Sequence, residues 1–168
     1  MYWWSSRKTT LGAITVIVSA RGLTAVSLGD VPEIFVARME SRLGTTIKEN
    51  LQRTEKAITQ LCEYVEGERR EIDTPLDLHL LSAFQRDILL RLRSIPTGSV
   101  KTYGELAREA GRPGSARAVG RALATNPLPL ALPCHRVIAS DGGLGGFSSP
   151  RGVEDKAALL ALEGVRIP

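Results

Sequence analysis

The chain has 168 residues, 43% of them hydrophobic, with 22 Lys and Arg against 18 Asp and Glu. This is the composition of a water-soluble chain of one or two small domains; no apolar run approaches the roughly 20 residues of a membrane span, and Tyr2-Trp3-Trp4 opens a terminus without the apolar core or cleavage site of a secretory signal. Two distant cysteines, Cys62 and Cys134, do not suggest a disulfide framework, and a reducing interior suits a working thiol.

In chain order, residues 11–20 (LGAITVIVSA) and 23–28 (LTAVSL) are rich in β-branched types, and Arg21-Gly22 between them predicts a hairpin. Pro32 breaks that pattern. Ile47, Leu51, Ile58, Leu61 and Val65 recur at helical spacing, which predicts a helix over 46–66 with Cys62 in its core. The charged stretch 67–75 reads as a linker. This half is an α+β scaffold with no catalytic constellation. His79 stands alone; a metal site needs more ligands at suitable spacing, so His79 is read as structural and no metal is expected.

Leu81, Phe84, Ile88 and Leu92 mark one face of a helix that stops before Pro96-Thr97-Gly98. Val100-Lys101 is a short extended segment. Thr102-Tyr103-Gly104-Glu105 has capping-box spacing and opens a helix through Ala110, closed by Gly111. Arg112-Pro113-Gly114 is a turn, and Ser115 caps a second helix over 116–125, so the segment reads as a helix-turn-helix. At helical spacing Val119, Ala122, Leu123 and Ala118 share the core side of the second helix. Arg117, Arg121, Gly120, Ala116 and Ala124 share the other side. Arginines on a bed of small residues suit the close approach of a DNA backbone; an ordinary solvated helix is the alternative. A mid-helix glycine costs about 1 kcal/mol relative to alanine, which close approach would account for.

Charge follows the same division. Residues 1–80 hold 10 Lys and Arg against 11 Asp and Glu, residues 81–151 hold 10 against 4, and residues 152–168 hold 2 against 3. The middle excess is the footprint of a nucleic-acid face or of a generally basic surface.

Pro133-Cys134-His135-Arg136-Val137 is the most unusual stretch. Three prolines among residues 126–133 fix φ and rule out a regular helix leading into it. Residues 137–139 are strand-like, and Asp141-Gly142-Gly143 with Gly145-Gly146 forms a glycine-rich turn. A thiol acts as a nucleophile only as thiolate, which needs a base or a positive field nearby. His135 is adjacent, but neighbours on extended backbone point apart, so contact requires a bend or a bridging water. The plain alternative is a buried inert cysteine. A final helix covers 153–162 with Glu154-Asp155 in its first turn. Glu163 after it is either a solvated carboxylate or a buried one facing His135; both readings stay open here.

Pro133-Cys134-His135-Arg136-Val137, preceded by Arg117-Ala118-Val119-Gly120 and Asn126-Pro127, resembles the signature of the O6-alkylguanine-DNA alkyltransferases (methylated-DNA–protein-cysteine methyltransferases). The likeness runs from Phe84 to Gly164 and includes Phe84-Gln85, Ile95-Pro96-x-Gly98, Tyr103-Gly104-Glu105-Leu106-Ala107 and Leu159-Leu160-Ala161-Leu162-Glu163-Gly164. The N-terminal half matches only loosely. The resemblance implies an α+β chain: a small ribonuclease-H-like α/β domain over 1–76, then a mostly helical domain over 77–168 with a helix-turn-helix.

The implied activity is single-turnover, irreversible transfer of an alkyl group from O6-alkylguanine, and O4-alkylthymine, in double-stranded DNA to a cysteine. The helix-turn-helix would enter the minor groove and the damaged base would be flipped out. By that resemblance Cys134 is the acceptor, His135 its base through a water, and Glu163 the group orienting His135. Tyr103 hydrogen-bonds guanine N3, and Asn126 braces the turn. Arg117 fills the space of the flipped nucleotide, with Ala116, Ala118, Gly120, Arg121 and Thr102 on DNA. Pro129, Val137, Ser148 and Ser149 border the alkyl pocket, and the loop 147–152 is longer than in many relatives. No cofactor is implied. The protein is expected to be monomeric, cytoplasmic and, in a prokaryote, associated with the nucleoid. The second hypothesis is a non-catalytic lesion sensor, which such relatives become without the acceptor; Cys134 argues against it. A transcriptional regulator leaves the cysteine motif unexplained, and a cysteine hydrolase predicts turnover.

Overall fold

Ile14-Thr15-Val16-Ile17-Val18 is buried along its whole length, as expected of a strand covered on both faces. It forms the middle of β2 (Gly12–Ser19), which pairs antiparallel with β1 (Tyr2–Thr9) and β3 (Gly22–Leu28). The hairpin predicted around Arg21 is present. The computed structural model describes residues 1–166 and divides into two compact units, Met1–Leu80 and the part from Leu81 onward.

In the first unit, α1 (Pro32–Leu43) buries Phe35, Val36 and Met39 against Ile17 and Ala25. Pro32 opens this helix rather than merely ending a strand, since proline at the first helical position gives up only an N–H that has no partner there. The predicted helix over 46–66 is corrected: Ile47–Glu49 is a strand, β4, parallel to Tyr2–Trp4, and the helix α2 begins at Leu51 and ends at Val65. Asn50 makes the break, its side chain accepting from the Arg53 N–H as N-cap. The sheet order is β3-β2-β1-β4. Cys62 is buried in α2, and burial pushes its thiol up.

The stretch 67–75 is likewise no free linker. The Gln60 side chain accepts from the Thr74 N–H and hydroxyl and from the Asp73 N–H, and donates to the Asp73 carboxylate. Pro75 to Asp77 then bonds along Leu23.

The second unit is helical. α3 (Ala83–Arg91) buries Ile88 and Leu89, and a 3-10 turn from Leu92 to Ser94 ends it before Pro96. β5 (Lys101–Thr102) pairs in parallel with β6 (Val137–Ile138). α4 (Tyr103–Glu109) starts with the predicted capping box, Thr102 accepting from the Glu105 N–H and Glu105 accepting from the Thr102 N–H. α5 (Ala116–Ala124) follows and buries Val119, Ala122 and Leu123. Ser115 stands at its N-cap, but its side chain makes no capping hydrogen bond. α6 (Val153–Leu162) closes the fold on Leu159 and Leu160. Among the described residues no helix is long and apolar enough to cross a membrane.

Candidate active site

The proline-rich lead is wound tightly rather than extended. The Asn126 side chain spans it, its amide donating to the Leu132 carbonyl at 3.0 Å and its oxygen accepting from the Leu128 N–H at 2.9 Å. Leu130 is held at φ 72°, rare for a bulky side chain. Cys134, His135 and Arg136 then form one 3-10 turn, all three buried.

Glu163 is buried behind that turn, its side chain 1% exposed, so of its two sequence readings the buried one holds. His135 Nε2 lies 3.0 Å from Glu163 Oε1. The Arg136 guanidinium donates to both carboxylate oxygens at 2.7–3.1 Å. A carboxylate so paired is ionised and only accepts. Nε2 therefore carries the ring hydrogen and Nδ1 the lone pair. Burial pushes the imidazole below its ordinary value, against the opposing pull of Glu163, so the ring is neutral.

Burial also raises the Cys134 thiol, opposed by a hydrogen bond from the Asn126 side chain, by the charge on Lys156 and by the residue's own N–H. The resting group is a thiol that needs a base. Lys156 is fully buried, a costly position for a charge. Its Nζ donates to the Val137 carbonyl at 2.6 Å and the Gly146 carbonyl at 3.3 Å, and stands 3.5 Å from the Tyr103 hydroxyl. Burial pulls it down to about 8. Burial, with the neighbouring Cys134 charge, raises the Tyr103 phenol, which stays protonated.

A cavity of about 510 Å3 opens beside the thiol, lined by Tyr103, Gly120, Leu123, Ala124, Cys134, Gly145, Gly146, Phe147 and Ser148. Gly145 sits at φ 72°, and a Cβ there would stand 2.6 Å from the Tyr103 hydroxyl, so the loop and the tyrosine pack as they do only with glycine. At Gly120 an added Cβ would meet the Tyr103 ring at 3.9 Å. The space above this glycine opens onto the cavity.

The structure thus gathers Cys134, His135, Glu163, Tyr103 and Asn126 in one place, with Gly120 and Ser148 on the cavity. Ser148 Oγ donates to the Ala124 carbonyl at 2.6 Å and ties the loop to the end of α5. Ser149 is turned away, donating to Asp155 at 2.6 Å and accepting from the Gly152 N–H. Pro129 and Val137 are buried and do not line this cavity. Arg117 is exposed on α5, and Ala116 is half-buried at its start. Ala118 and the exposed Arg121 line a second cavity of about 370 Å3 between α3 and α5, so Ala118 sits at the rim of the core side. The Thr102 hydroxyl is taken up by the helix cap. Among the described residues no group of three or more His, Cys, Asp or Glu is placed to hold a metal ion.

Two residues escaped the reading of the sequence. Arg136 stands in the cysteine motif with no role that the sequence shows. Lys156 precedes Leu159 and Leu160 by three and four positions, which puts it on their apolar face, and that misplacement was its signal.

Known proteins are similar to this chain in sequence and fold. Residues 2–78 match the 6-O-methylguanine DNA methyltransferase, ribonuclease-like domain, and residues 83–165 match the 6-O-methylguanine DNA methyltransferase, DNA binding domain. A methylated-DNA–protein-cysteine methyltransferase of Mycolicibacterium paratuberculosis is 46% identical over 123 residues, 73% of this chain and 72% of that protein. The solved structure of Mycobacterium tuberculosis OGT in complex with DNA gives a TM-score of 0.80 at 34% identity, covering 99% of this chain and 95% of that one. The O6-methylguanine-DNA methyltransferase of Pyrococcus kodakaraensis strain KOD1 gives 0.70 at 25%, covering 98% and 100%. The α+β fold expected from the sequence, a ribonuclease-like domain before a DNA-binding one, is the fold found, and the chain belongs to the 6-O-methylguanine DNA methyltransferase family.

Proposed function

We propose that this protein repairs alkylated DNA by direct reversal, moving the alkyl group of O6-alkylguanine, and of O4-alkylthymine, onto its own Cys134. The observation that carries this reading is the placement of that thiol in the wall of the cavity, with the neutral His135 ring and the ionised Glu163 carboxylate behind it. The Nδ1 lone pair of His135 takes the thiol proton, across a bridging water. Glu163 holds the ring in that tautomer and stabilises the imidazolium formed. The nearby charge of Lys156 favours the thiolate.

Sulfur then attacks the alkyl carbon, an S–C bond forms, and the bond from that carbon to guanine O6 breaks with its electron pair passing to the base. Guanine needs a proton as it leaves. The Tyr103 phenol is a protonated donor on the cavity wall and suits guanine N3. The proton taken from the thiol restores the tyrosine, leaving neutral guanine and a thioether. The thioether is a stable product, so in this reading each molecule acts once and needs no cofactor.

The target atom is inaccessible inside a duplex, so the base must be flipped out, at a cost of a few kcal/mol. The exposed Arg117 on α5 is suited to fill its place, because a planar guanidinium both stacks and hydrogen-bonds. Ala116, Ala118, Gly120, Arg121 and Thr102 complete the DNA face in this reading, and of the residues expected around the alkyl group, Pro129, Val137, Ser148 and Ser149, Ser148 is the one on the cavity wall. A working thiol suits a reducing cytoplasm.

Intact-protein mass spectrometry after mixing with duplex DNA carrying one O6-methylguanine tests the proposal. The expected result is a gain of a single methyl, on Cys134 and going no further. Cys134→Ala should keep duplex binding and lose all transfer. Tight binding to the lesion without any gain in mass would instead favour the sensor reading. Arg117→Ala should slow reaction with the duplex far more than with the free modified base.

A further inference from the structure

The turn Ile95-Pro96-Thr97-Gly98 has no part in the transfer as described, yet it closes directly on the group behind His135. Arg136 is the centre of this arrangement. Its Nη1 donates to the Ile95 carbonyl at 2.7 Å and its Nη2 to Thr97 Oγ1 at 3.1 Å, while Nη2 and Nε donate to Glu163. Gly98, at φ 85°, brings its N–H to 3.5 Å from Glu163 Oε2, and a Cβ there would stand 3.2 Å from the Glu163 carbonyl. The carboxylate is therefore gripped by the guanidinium, the imidazole and the turn together.

We propose that Arg136, clamped by the Ile95–Gly98 turn, is a positioning residue of the transfer reaction that keeps Glu163 ionised and oriented and so sets the pH range in which His135 works as a base. This rests on the reading of His135 as the base given above. A buried carboxylate alone beside an imidazole has two outcomes. It takes up a proton itself, and then either ring tautomer can pair with it. Or it stays ionised and draws a proton onto the ring, which then has no lone pair for the thiol proton. A guanidinium on both carboxylate oxygens prevents both, because it favours the ionised form and offsets its charge.

The groups facing the imidazole are Glu163 at the end of α6, Lys156 earlier in the same helix and Arg136 in its own turn. After burial itself, Glu163 favours the imidazolium while Arg136 and Lys156 oppose it. Removing the Arg136 charge leaves the carboxylate less offset and makes His135 more basic.

The test uses the full chain labelled with 15N at histidine, whose two histidines give a simple spectrum with His79 as internal control. In the wild type His135 should appear near pH 7 as the neutral ring with hydrogen on Nε2. In Arg136→Met its titration midpoint should rise and His79 should not move. Methyl transfer at pH 7 should fall about tenfold and recover as the pH is raised. A folded Arg136→Met whose His135 keeps the wild-type midpoint and tautomer overturns the proposal. If that variant does not fold, the double variant Arg136→Met with Glu163→Gln, which removes both buried charges, is compared with Glu163→Gln alone. Equal transfer rates support action through Glu163; a further large loss shows a structural role and overturns it. The resonances do not depend on transfer, so a wild type that accepts no methyl group sinks the functional reading separately.

Discussion

The two units bury polar groups of different kinds. The first buries hydroxyls and one amide: Ser5, Thr15, Thr24, Ser27, Thr54, Gln60 and Thr74, with Asp77 the exception. Thr54 shows the pattern, donating to Ser5 Oγ at 2.6 Å inside the core. The second also buries one amide, Asn126, but adds His135, Arg136, Asp155 and Lys156, beside Cys134 and the side chain of Glu163. Neutral hydroxyls meet their partners at little desolvation cost, whereas a buried ion costs several kcal/mol before pairing. The first unit's polar core is what strand and helix packing requires. The second unit carries an expense that folding alone does not explain and that the proposed proton transfer would.

The largest expected effect sets the two cores side by side. Glu163→Gln should lower the single-turnover transfer rate by about a hundredfold or more, because the ring tautomer is no longer enforced. Thr54→Val should leave that rate within about twofold and cost about 1 kcal/mol in urea unfolding. A comparable loss of transfer in both would erase the distinction.

Next, Lys156→Met should move the alkylation of Cys134 by iodoacetamide to higher pH, since a positive charge near the thiol is gone. It should also change stability against pH. Lys156 loses its proton near 8 in the folded protein and near 10.5 when unfolded. Between those values the unfolded chain binds more protons, so this group makes stability rise with pH there. Urea midpoints across that window should show the rise in the wild type and its loss in the variant.

Asp77 tests the first unit's exception. Burial raises its carboxyl, but hydrogen bonds from Ser19 and His79 outweigh that and hold it below its ordinary value. Its contribution is present above the unfolded carboxylate value and lost as pH falls through the lowered one. Asp77→Asn should cost about 1–3 kcal/mol at pH 7 and spare transfer. The smallest effect belongs to Gly120→Ala, which should stabilise α5 by at most about 1 kcal/mol while slowing transfer a few-fold by narrowing the cavity.

Legibility in the sequence tracked the range of each signal. The Thr102–Glu105 capping box and the apolar face of α5 were readable because their partners lie within four residues. Ile47 stands four positions before Leu51 and so looked helical, yet it pairs with Tyr2, a partner no local periodicity reveals. The strand 2–9 and the helix opened by Pro32 were missed for related reasons: the first mixes aromatic and polar residues without strict alternation, and proline begins helices as readily as it ends strands. At the site, Cys134 and His135 are adjacent and announced themselves. Glu163 kept two readings on the sequence alone, since 28 residues separate it from His135, and only the resemblance gave it a role. Arg136 and Lys156 were hidden because their roles come from burial, which a charged residue in a list does not show.

The winding of residues 134–136 has a consequence for how the site can vary. A 3-10 turn repeats every three residues, so successive side chains leave it about 120° apart. Cys134 reaches the cavity, His135 meets one oxygen of the Glu163 carboxylate, and Arg136 spans that carboxylate and the turn at Ile95. Three posts are thus assigned by position in the chain alone. Adding or removing one residue in the proline-rich lead would rotate each side chain into its neighbour's post. A guanidinium would then face the cavity, or a thiol the carboxylate, with every residue type still present. Substitution can tune this site, but a change of length at its entrance dismantles it.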